Sequence, residues 1–509
     1  MPSRAAARSL PTGLPIGMAL PIGMALPIGV AVAFGVAVAF GVAVAFWAVP
    51  APGRAPLQPG SAAAVTLEPP PAGAFDLRAA VAAAAPGAVI VVPPGTHAGP
   101  LVIDKPLTLT GREWPIVDGG GSGHVITVTA PDVTLRGLVV RGSGNRIEDE
   151  DAGVTVRAPR AVVDGNRLED VLFGVGLLQA PDGVVSGNTI RGKNLPVPRR
   201  GDGIRLWYSA RGRVERNDVR GTRDVVVWFS PDTVILGNTV RGGRYGVHTM
   251  FADRQRVEGN VLADNSVGAF LMYGRELHLT RNLLLDNRGP SGYGVGLKDV
   301  DDVVAEGNRF VGNRVGALID GSPREPGATV RFSGNAFAYN EIGLTLLPSV
   351  RRNAFSGNAF VDNGEQVAIS GRGELRDVAW STAGRGNFWS DYAGFDAAGD
   401  GIGDVPYVSA SLYEDLMVTH PQLRLFARSP AADALDLAAR AFPVFQPRPK
   451  LRDEHPLTAP PTLAPAPGVA PPARGANLAW AAAMLAVSAS ILAAGLDTSR
   501  LRARPGGAA

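Results

Sequence analysis

The stretch Val-Ser-Gly-Asn-Thr-Ile at residues 185–190 decides the fold, because close variants of it return along the middle of the chain. Ile-Leu-Gly-Asn-Thr-Val ends at Val240 and Val-Glu-Gly-Asn-Val-Leu ends at Leu262. Phe-Ser-Gly-Asn-Ala-Phe occurs twice, ending at Phe337 and at Phe360. A period of roughly 22 residues indicates structural units that bury their apolar faces only by stacking on their neighbours. The repeated asparagine stands at Asn166, Asn188, Asn217, Asn238, Asn260, Asn282, Asn308, Asn335 and Asn358.

Short strands between these asparagines predict the fold class. Gly203-Ile-Arg-Leu-Trp, Gly246-Val-His-Thr-Met and Gly294-Val-Gly-Leu-Lys alternate with period 2 and are bounded by glycine and asparagine turns. We predict an all-β protein in which residues 74–380 form a right-handed parallel β-helix solenoid, and the 64 glycines exclude an α-helical solenoid. The asparagines are expected to stack as an internal ladder that satisfies the turn backbone. After Asn358 the repeat is expected to dissolve.

Helices are predicted at both ends of the solenoid. From Asp76 the sequence Leu-Arg-Ala-Ala-Val-Ala-Ala-Ala-Ala-Pro-Gly predicts a short amphipathic helix that caps the open edge of the first coil. Residues 381–455 are predicted to form a C-terminal cap and a helical partner-docking region, with the helical part running from Leu412 to Ala441.

The N-terminus predicts export. Arg4 and Arg8 precede a long apolar run, so residues 1–50 are expected to be an export signal, either cleaved or kept as a signal anchor. Residues 51–73 are low in complexity and are expected to be a linker.

The C-terminus predicts membrane attachment. Residues 476–496 are uncharged, apolar and long enough for a transmembrane helix, which a Pro-rich linker at 456–475 separates from the body. Arginines in the tail at 497–509 are expected to keep that tail in the cytoplasm, with the body in the periplasm. The alternative for 476–496 is a buried core helix.

The composition removes several classes of function. The chain has 509 residues and a net charge of +3, and its 49 basic and 46 acidic side chains are mixed along it, so no nucleic-acid partner is indicated. It has no cysteine, which excludes disulfides and thiolate metal sites. Any soft-metal site must use its seven methionines and six histidines.

The asparagines also align the other residues of each coil into columns. Because strand side chains alternate between faces, residues ten and twelve positions before an asparagine share one face, which is predicted to point outwards. The aliphatic residues between them are expected to line the core. The column at ten positions holds Leu178, Trp207, Trp228, Met250, Met272 and Lys298, and the column at twelve holds Gly176, Arg205, Val226, His248, Phe270 and Gly296.

His248, Met250 and Met272 form a compact triangle in this register. Adjacent coils lie about 4.8 Å apart, and residues i and i+2 of one strand lie roughly 6.5–7 Å apart. Two thioethers and an imidazole without a carboxylate suit Cu(I) and are poorly suited to Mg²⁺ or Ca²⁺. The alternative is a partner-binding patch that uses Met250 and Met272, with His248 incidental.

A second candidate metal site is the Gly-rich loop that carries Asp396, Asp400 and Asp404. Carboxylates spaced by glycines can wrap a hard cation such as Ca²⁺, although this loop lacks the closing glutamate of an EF-hand. The alternative is a turn in which the aspartates cap backbone N–H groups.

Catalysis would need a further constellation. Polysaccharide lyases, hydrolases and epimerases built on β-helices use paired carboxylates, or Ca²⁺ with a basic residue, in a long groove. The candidates are Lys298, Asp299, Asp301 and Asp302, but Lys-Asp-Val-Asp-Asp is typical of a turn between strands. We therefore predict that the protein is not an enzyme. The alternative is an extracytoplasmic polysaccharide lyase, hydrolase or carbohydrate-binding protein.

Several stretches together resemble the NosD family. They are Gly246-Val-His-Thr-Met, Phe270-Leu-Met-Tyr, Asn387-Phe-Trp-Ser-Asp-Tyr, Asp400-Gly-Ile-Gly-Asp-Val-Pro-Tyr, Ser411-Leu-Tyr-Glu-Asp-Leu, and the tail from Ser429-Pro-Ala-Ala-Asp-Ala-Leu through Phe442-Pro-Val-Phe. The likeness covers residues 74–456, and the C-terminal stretches are its most specific part.

The resemblance implies a periplasmic β-helix protein that helps to mature nitrous oxide reductase. It implies as partners the membrane and ATPase subunits of an ABC transporter, a copper-chaperone lipoprotein, and the apo-reductase that receives the copper. It supports transient binding of Cu(I) at His248, Met250 and Met272. We expect the helical region from Leu412 to Ala441 to dock on the membrane subunits of the transporter.

Overall fold

Three parallel sheets wind together into a solenoid. The computed structural model describes residues 66–67, 75–371, 373–426, 429–442, 448–468, 484–488 and 490. The chain divides into two units, 1–62 and 63–509, and every described residue belongs to the second. The predicted export signal at 1–50 and the predicted tail at 497–509 lie outside the described residues.

Each coil contributes one short strand to each sheet in turn. Sheet A contains β1 (Thr66–Leu67), β2 (Val89–Val92), β5 (Thr108–Gly111), β8 (Thr134–Arg136), β11 (Val162–Asp164), β14 (Val184–Ser186), β17 (Arg213–Glu215), β20 (Val234–Leu236), β23 (Arg256–Glu258), β26 (Arg275–Thr280), β29 (Asp301–Glu306), β32 (Val330–Ser333), β35 (Asn353–Ser356) and β38 (Val378–Ala379). Sheet B contains β3 (Thr96–Ala98), β6 (Ile116–Asp118), β9 (Val139–Arg141), β12 (Arg167–Val171), β15 (Thr189–Gly192), β18 (Asp218–Arg220), β21 (Thr239–Arg241), β24 (Val261–Ala263), β27 (Leu283–Leu285), β30 (Arg309–Val311), β33 (Ala336–Ala338), β36 (Ala359–Val361) and β39 (Phe388–Trp389).

Sheet C contains β4 (Leu101–Ile103), β7 (Ile126–Val128), β10 (Ala152–Val156), β13 (Phe173–Leu178), β16 (Ile204–Trp207), β19 (Asp224–Trp228), β22 (Tyr245–Met250), β25 (Val267–Met272), β28 (Tyr293–Lys298), β31 (Val315–Asp320), β34 (Ile342–Leu346) and β37 (Glu365–Ile369). Sheet B has 13 strands, so the solenoid has about 13 coils. The prediction of an all-β parallel solenoid is confirmed. Its last strand, β39, lies beyond the predicted boundary at residue 380.

The asparagine ladder is confirmed as scaffold. It runs along the corner between sheets A and B, where every member is buried. Asn238 shows the pattern: its backbone N–H and its side-chain N–H both donate to Oδ1 of Asn260, at 2.8 and 3.0 Å. Its Nδ2 also donates to the carbonyl of Val214 at 2.8 Å. Each amide thus satisfies a turn whose backbone groups are removed from water.

The prediction that the repeat dissolves after Asn358 is wrong, because the ladder continues by one more step. The backbone N–H of Asn358 donates to Oδ1 of Asn387 at 3.2 Å. The N–H of Asn387 donates in turn to Oδ2 of Asp453 at 2.7 Å, and Trp389 Nε1 donates to the same oxygen at 3.0 Å. A buried carboxylate therefore ends the ladder, and its burial raises the pKa of Asp453.

A second asparagine ladder, which was not predicted from the sequence, occupies the corner between sheets B and C. Backbone N–H groups donate to the next Oδ1 at 3.1 Å from Asn265 and at 3.0 Å from Asn287. Each member lies five residues after a member of the first ladder. The second ladder consists of Asn265, Asn287, Asn313, Asn340 and Asn363.

The C-terminal end of the core is closed by stacked rings. The ring of Trp389 has its centroid 4.4 Å from that of Phe360 and 4.4 Å from that of Tyr407. Tyr407 belongs to β40 (Tyr407–Ser409), which pairs antiparallel with β41 (Leu451–Asp453). Aromatic stacking thus extends from the solenoid into the region that follows it.

Helices lie at both ends of the described chain. At the N-terminal end, α1 (Leu77–Ala83) begins at Asp76, whose side chain accepts from two backbone N–H groups, and it buries Leu77 and Val81. At the C-terminal end, Ser411 and Ser429 act as N-caps of the two helices. The helices of this region are α2 (Leu412–Thr419) and α3 (Pro430–Ala441), and short 3-10 helices occupy Val197–Arg199 and Pro421–Phe426.

The Pro-rich stretch from 456 to 468 lies against the solenoid. The N–H of Leu457 donates to the carbonyl of Asn387 at 2.9 Å, and Leu457 is buried. Farther along, Ala466 packs on Val261 and Leu283 of sheet B. This part of the predicted linker therefore runs back along the coils.

The predicted membrane span at 476–496 lies mostly outside the described residues, which include only 484–488 and 490 of it. Within the described ranges, no helix combines the length and apolarity needed to cross a membrane.

The ladder predicts a large stability loss on removal of one amide. In Asn282→Ala, the N–H groups of Asn260 lose their acceptor and the carbonyl of Val257 loses its donor. We expect the free energy of unfolding to fall by about 2–5 kcal/mol, because unpaired buried polar groups cost about 1–3 kcal/mol each. Urea unfolding followed by circular dichroism measures this. Asn145→Ala, at an exposed position, is the control, and equal midpoints for the two variants would contradict a structural ladder.

Candidate metal site

The predicted columns on sheet C are confirmed in register. Strand pairing places Trp228 beside Met250, Met250 beside Met272, and His248 beside Phe270. The remaining neighbours in both columns also pair as predicted, from Leu178 with Trp207 to Met272 with Lys298. The intervening Val247 and Leu271 are fully buried in the core. His248, Met250 and Met272 therefore share one face of two adjacent strands.

The outward face is not open to solvent at His248. Met250 and Met272 are partly exposed, but His248 is only 5% exposed. Aromatic rings cover it on three sides. The centroid of its imidazole lies 5.0 Å from that of Tyr245, 5.2 Å from that of Trp228 and 6.4 Å from that of Phe270.

A buried carboxylate lies behind the imidazole. Asp224, the first residue of β19, has Oδ2 3.8 Å from His248 Nδ1. The strand register shifts between the pair Asp224–Tyr245 and the pair Val226–His248, and Asp224 stands at the corner between sheets B and C. Arg244 binds it with both Nε and Nη2, and the N–H of Tyr245 donates to it at 3.0 Å. Burial acts to raise the pKa of Asp224, but the nearby His248 and Arg244 outweigh it, and the pKa is lowered.

A second buried carboxylate, that of Asp202, lies near the same corner. Arg223 Nε donates to Asp202 at 3.1 Å, and Arg205 Nη1 lies 3.9 Å from Asp202 and 2.6 Å from Glu150. Burial raises the pKa of Asp202 to about 6, partly offset by Arg223. The imidazole thus sits at one end of a chain of buried carboxylates and guanidinium groups.

Unsatisfied polar atoms concentrate at this place. In the described part of the chain, eight buried side-chain nitrogen or oxygen atoms have no hydrogen-bond partner. Four of the eight are Nδ1 and Nε2 of His248, Nε1 of Trp228 and Nε of Arg205. A buried polar group without a partner is costly, so a cluster of such atoms marks this place as a candidate binding site.

The donor chemistry of the site is soft. His248 offers ring nitrogen, and Met250 and Met272 offer thioether sulfur, which together favour Cu(I) over hard cations. Nowhere among the described residues do three or more His, Cys, Asp or Glu side chains form a group that could hold a metal ion. The residues at this site fit a soft, singly charged metal.

The loop with Asp396, Asp400 and Asp404 is arranged as a capped turn. Asp396 accepts from the N–H groups of Gly399 at 2.6 Å and of Gly401 at 2.8 Å, and these bonds lower its pKa. Asp400 accepts from the N–H of Ile402 at 2.9 Å, and Asp404 accepts from that of Ala397 at 2.6 Å. Calcium binding by this loop stays a prediction.

The candidate catalytic residues also belong to turns and ion pairs. Lys298 Nζ donates to Asp320 at 2.9 Å, and this bond raises the pKa of Lys298. Asp301 accepts from the N–H of Arg324 at 2.6 Å, and Asp302 accepts from that of Thr329 at 3.2 Å. Asp299 has a positive φ of 50° between β28 and β29.

A row of stacked rings, which was not predicted from the sequence, lies beside the site. The ring of Phe229 lies 4.8 Å from that of Tyr208 and 5.2 Å from that of Phe251, which lies 5.0 Å from that of Tyr273. These residues stand nine positions before successive asparagines of the first ladder, so the register contained the signal. Asp224 was missed because a register shift interrupts the residue count between it and His248.

Comparisons with known proteins agree with the earlier resemblance. Residues 186–394 match the family model described as periplasmic copper-binding protein (NosD). A probable ABC transporter binding protein NosD from Pseudomonas aeruginosa is 36% identical over 386 residues, which cover 73% of this chain and 89% of that protein. A protein of the same name from Stutzerimonas stutzeri is 32% identical, and the match covers 73% of this chain and 87% of that protein. Among solved structures, the A-module of the Azotobacter vinelandii mannuronan C-5 epimerase AlgE6 has a TM-score of 0.48 and 16% identity, over 60% of this chain and 92% of the module.

Asp202 predicts how stability depends on pH. Its pKa of about 6 in the folded protein lies above the ordinary 3.8, so a bound proton stabilises the fold. That stabilisation is complete below pH 3.8 and is lost as the pH rises through about 6. Between pH 4 and 7 we expect the free energy of unfolding of wild type to fall by about 2–3 kcal/mol relative to that of Asp202→Asn.

The measurement is urea unfolding of both proteins across this pH range. Asp104→Asn, at an exposed position, is the control and should follow wild type at every pH. Parallel curves for wild type and Asp202→Asn would contradict the prediction.

Proposed function

The chain belongs to the NosD family of periplasmic copper-binding proteins, and on that premise we propose that it binds Cu(I) transiently at His248, Met250 and Met272 and delivers it for assembly of the copper centres of nitrous oxide reductase. One observation carries the proposal. The buried imidazole of His248 has no hydrogen-bond partner on either ring nitrogen, and it lies in register with two thioethers.

The site suits the transport of copper more than its permanent storage. Its three donors are uncharged, so Cu(I) keeps its charge there and is held without the thiolates of tight copper sites. Asp224 Oδ2 lies 3.8 Å from Nδ1 of His248, too far for a hydrogen bond, and on that side it leaves Nε2 for the metal. Arg244 fixes Asp224 in turn and neutralises it.

The two sides of the site have different tasks. The rings of Trp228, Tyr245 and Phe270 cover the imidazole and keep water from it. Met250 and Met272 reach the surface, so donor groups of a partner replace the thioethers first. Copper enters and leaves by ligand exchange with no change of valence, which is a binding function and not catalysis. The two relatives are likewise named binding proteins.

The C-terminal helices supply a surface for the transporter. The relatives are named ABC transporter binding proteins. In this chain Leu425 is 86% exposed, Leu437 is 68% exposed and Phe442 is 61% exposed. Exposed apolar side chains of this size mark an interaction surface. We assign this surface to the membrane subunits of the transporter, and the copper-chaperone lipoprotein and the apo-reductase to the methionine side of sheet C.

The copper site predicts the outcome of an anaerobic Cu(I) titration. Full-length wild type should take up one Cu(I) in competition with a chromogenic chelator. Met250→Leu and Met272→Leu remove the sulfur with little change of volume, and each should weaken binding by about tenfold or more. The triple variant with His248→Ala as well should retain no site. His278→Ala, at an exposed position on sheet A, is the matched control, and equal affinities of wild type and the triple variant would exclude the site.

The transporter surface predicts the outcome of a co-purification. Leu425→Glu with Leu437→Glu places charge on the helical surface and should abolish recovery of the transporter's membrane subunits, while Cu(I) affinity stays at the wild-type level. Val102→Glu on β4, at a position 56% exposed, is the control for added charge. Undiminished recovery with the double variant would show that the transporter binds elsewhere.

A further inference from the structure

Trp228 stands beside two of the three proposed copper ligands. Its partner across the strands is Met250, one coil away. Its indole centroid lies 5.2 Å from that of the His248 imidazole, with the two rings at 88°. Its Nε1 is buried without a hydrogen-bond partner, so a polar contact does not explain its position.

The indoles of this column already attract a cation. The guanidinium carbon of Arg205 lies 5.1 Å from the ring centroid of Trp207 and 5.9 Å from that of Trp228. A cation within about 6 Å of a ring centroid is drawn to the negative face of the ring, and tryptophan provides the strongest attraction of the aromatic side chains. The column therefore has an electron-rich wall next to His248.

A site with one imidazole and two thioethers leaves part of the metal uncovered. Water or an anionic oxygen could occupy that side, and both would favour doubly charged, harder ions. An aromatic ring there excludes water and offers a face that a soft monovalent cation tolerates. The ring of Trp228 lies beside His248, and Trp228 pairs with Met250 across the strands.

We propose that Trp228 forms a fourth contact of the copper site, in which its indole ring makes a cation–π interaction with Cu(I) held by His248, Met250 and Met272. This inference rests on the proposed function. In it Trp228 acts as a specificity residue, because it shields the monovalent ion from water and provides no hard donor for Zn²⁺.

Trp207 gives a matched control within the same column. It pairs with Trp228 one coil away and is also partly exposed. It shares the contact with Arg205, but its ring neighbours are Tyr208, Trp228 and Phe229, and not His248. A general effect of losing an indole from this surface should therefore appear equally in Trp207→Phe and Trp228→Phe.

The test is an anaerobic Cu(I) titration of the full-length protein, followed by tryptophan emission and by the indole N–H resonances in ¹⁵N spectra. In wild type, emission should be quenched up to one equivalent, and the one resonance absent from Trp228→Phe should shift. Trp207→Phe should keep the quenching and the wild-type affinity. Trp228→Phe should lose the quenching and bind Cu(I) about 5- to 30-fold more weakly, and Trp228→Leu should bind more weakly still.

Zn²⁺ titrations of the same variants add a second readout. Replacing Trp228 should lower the preference for Cu(I) over Zn²⁺, while replacing Trp207 should not. Trp228→Phe with wild-type affinity and undiminished quenching would overturn the inference. The proposed function would survive that outcome if wild type still binds Cu(I) and the triple variant of His248, Met250 and Met272 does not. If wild type itself takes up no Cu(I), the proposed function fails and the inference fails with it.

Discussion

The structure depends on the need to satisfy turn backbone that is buried between stacked coils. At the corner between sheets A and B, one asparagine amide per coil meets this need, and Asn238 binds Asn260 through both its backbone and its side chain. Because every amide must meet the next, neighbouring coils cannot slip by a residue without leaving buried donors unpaired. Loops of different length are tolerated as long as the amide returns to the corner. The ladder thus fixes the register in which all other side chains are stacked.

At the corner between sheets B and C, uncharged asparagine amides satisfy the turns in only some of the coils. From Asn265 to Asn363 a second asparagine ladder fills it. In the coils before Asn265, the same corner holds the charged pairs of Asp202 with Arg223 and of Asp224 with Arg244. Burying these carboxylates costs desolvation energy that their arginine partners repay only in part, so such ion pairs are weak evidence of stabilisation. The change from amides to charges takes place beside His248, where Asp224 Oδ2 lies 3.8 Å from Nδ1 of the imidazole.

The repeat allowed much of the fold and part of the site to be predicted. The parallel solenoid, the first ladder and the columns that contain His248, Met250 and Met272 followed from period and alternation alone, since these features are local and repeat in every coil. The register shift at Asp224 did not follow, because a bulge breaks the count that makes prediction possible. The burial of His248 was also missed. The rings of Tyr245, Trp228 and Phe270 cover the imidazole, and the packing of outward side chains against one another does not follow from the repeat. Asp453, which ends the first ladder, is too distant in sequence to belong to any repeat.

The positions of the buried polar atoms without hydrogen bonds bear on whether Met250 and Met272 belong to a Cu(I) site or to a partner-binding patch. A partner-binding patch needs Met250 and Met272 at the surface, but it gives no reason to bury an imidazole that has no hydrogen bond on either nitrogen and a carboxylate 3.8 Å from Nδ1. Each buried polar atom without a partner costs about 1–3 kcal/mol. Elsewhere in this solenoid, asparagine amides satisfy the buried polar groups of the turns and so avoid that cost. A metal ion bound by the imidazole and the thioethers would recover it on binding. On the proposed function, recovery of this cost would add to the affinity for the metal, and easy transfer would come from the uncharged donors and from the exposed side of Met250 and Met272.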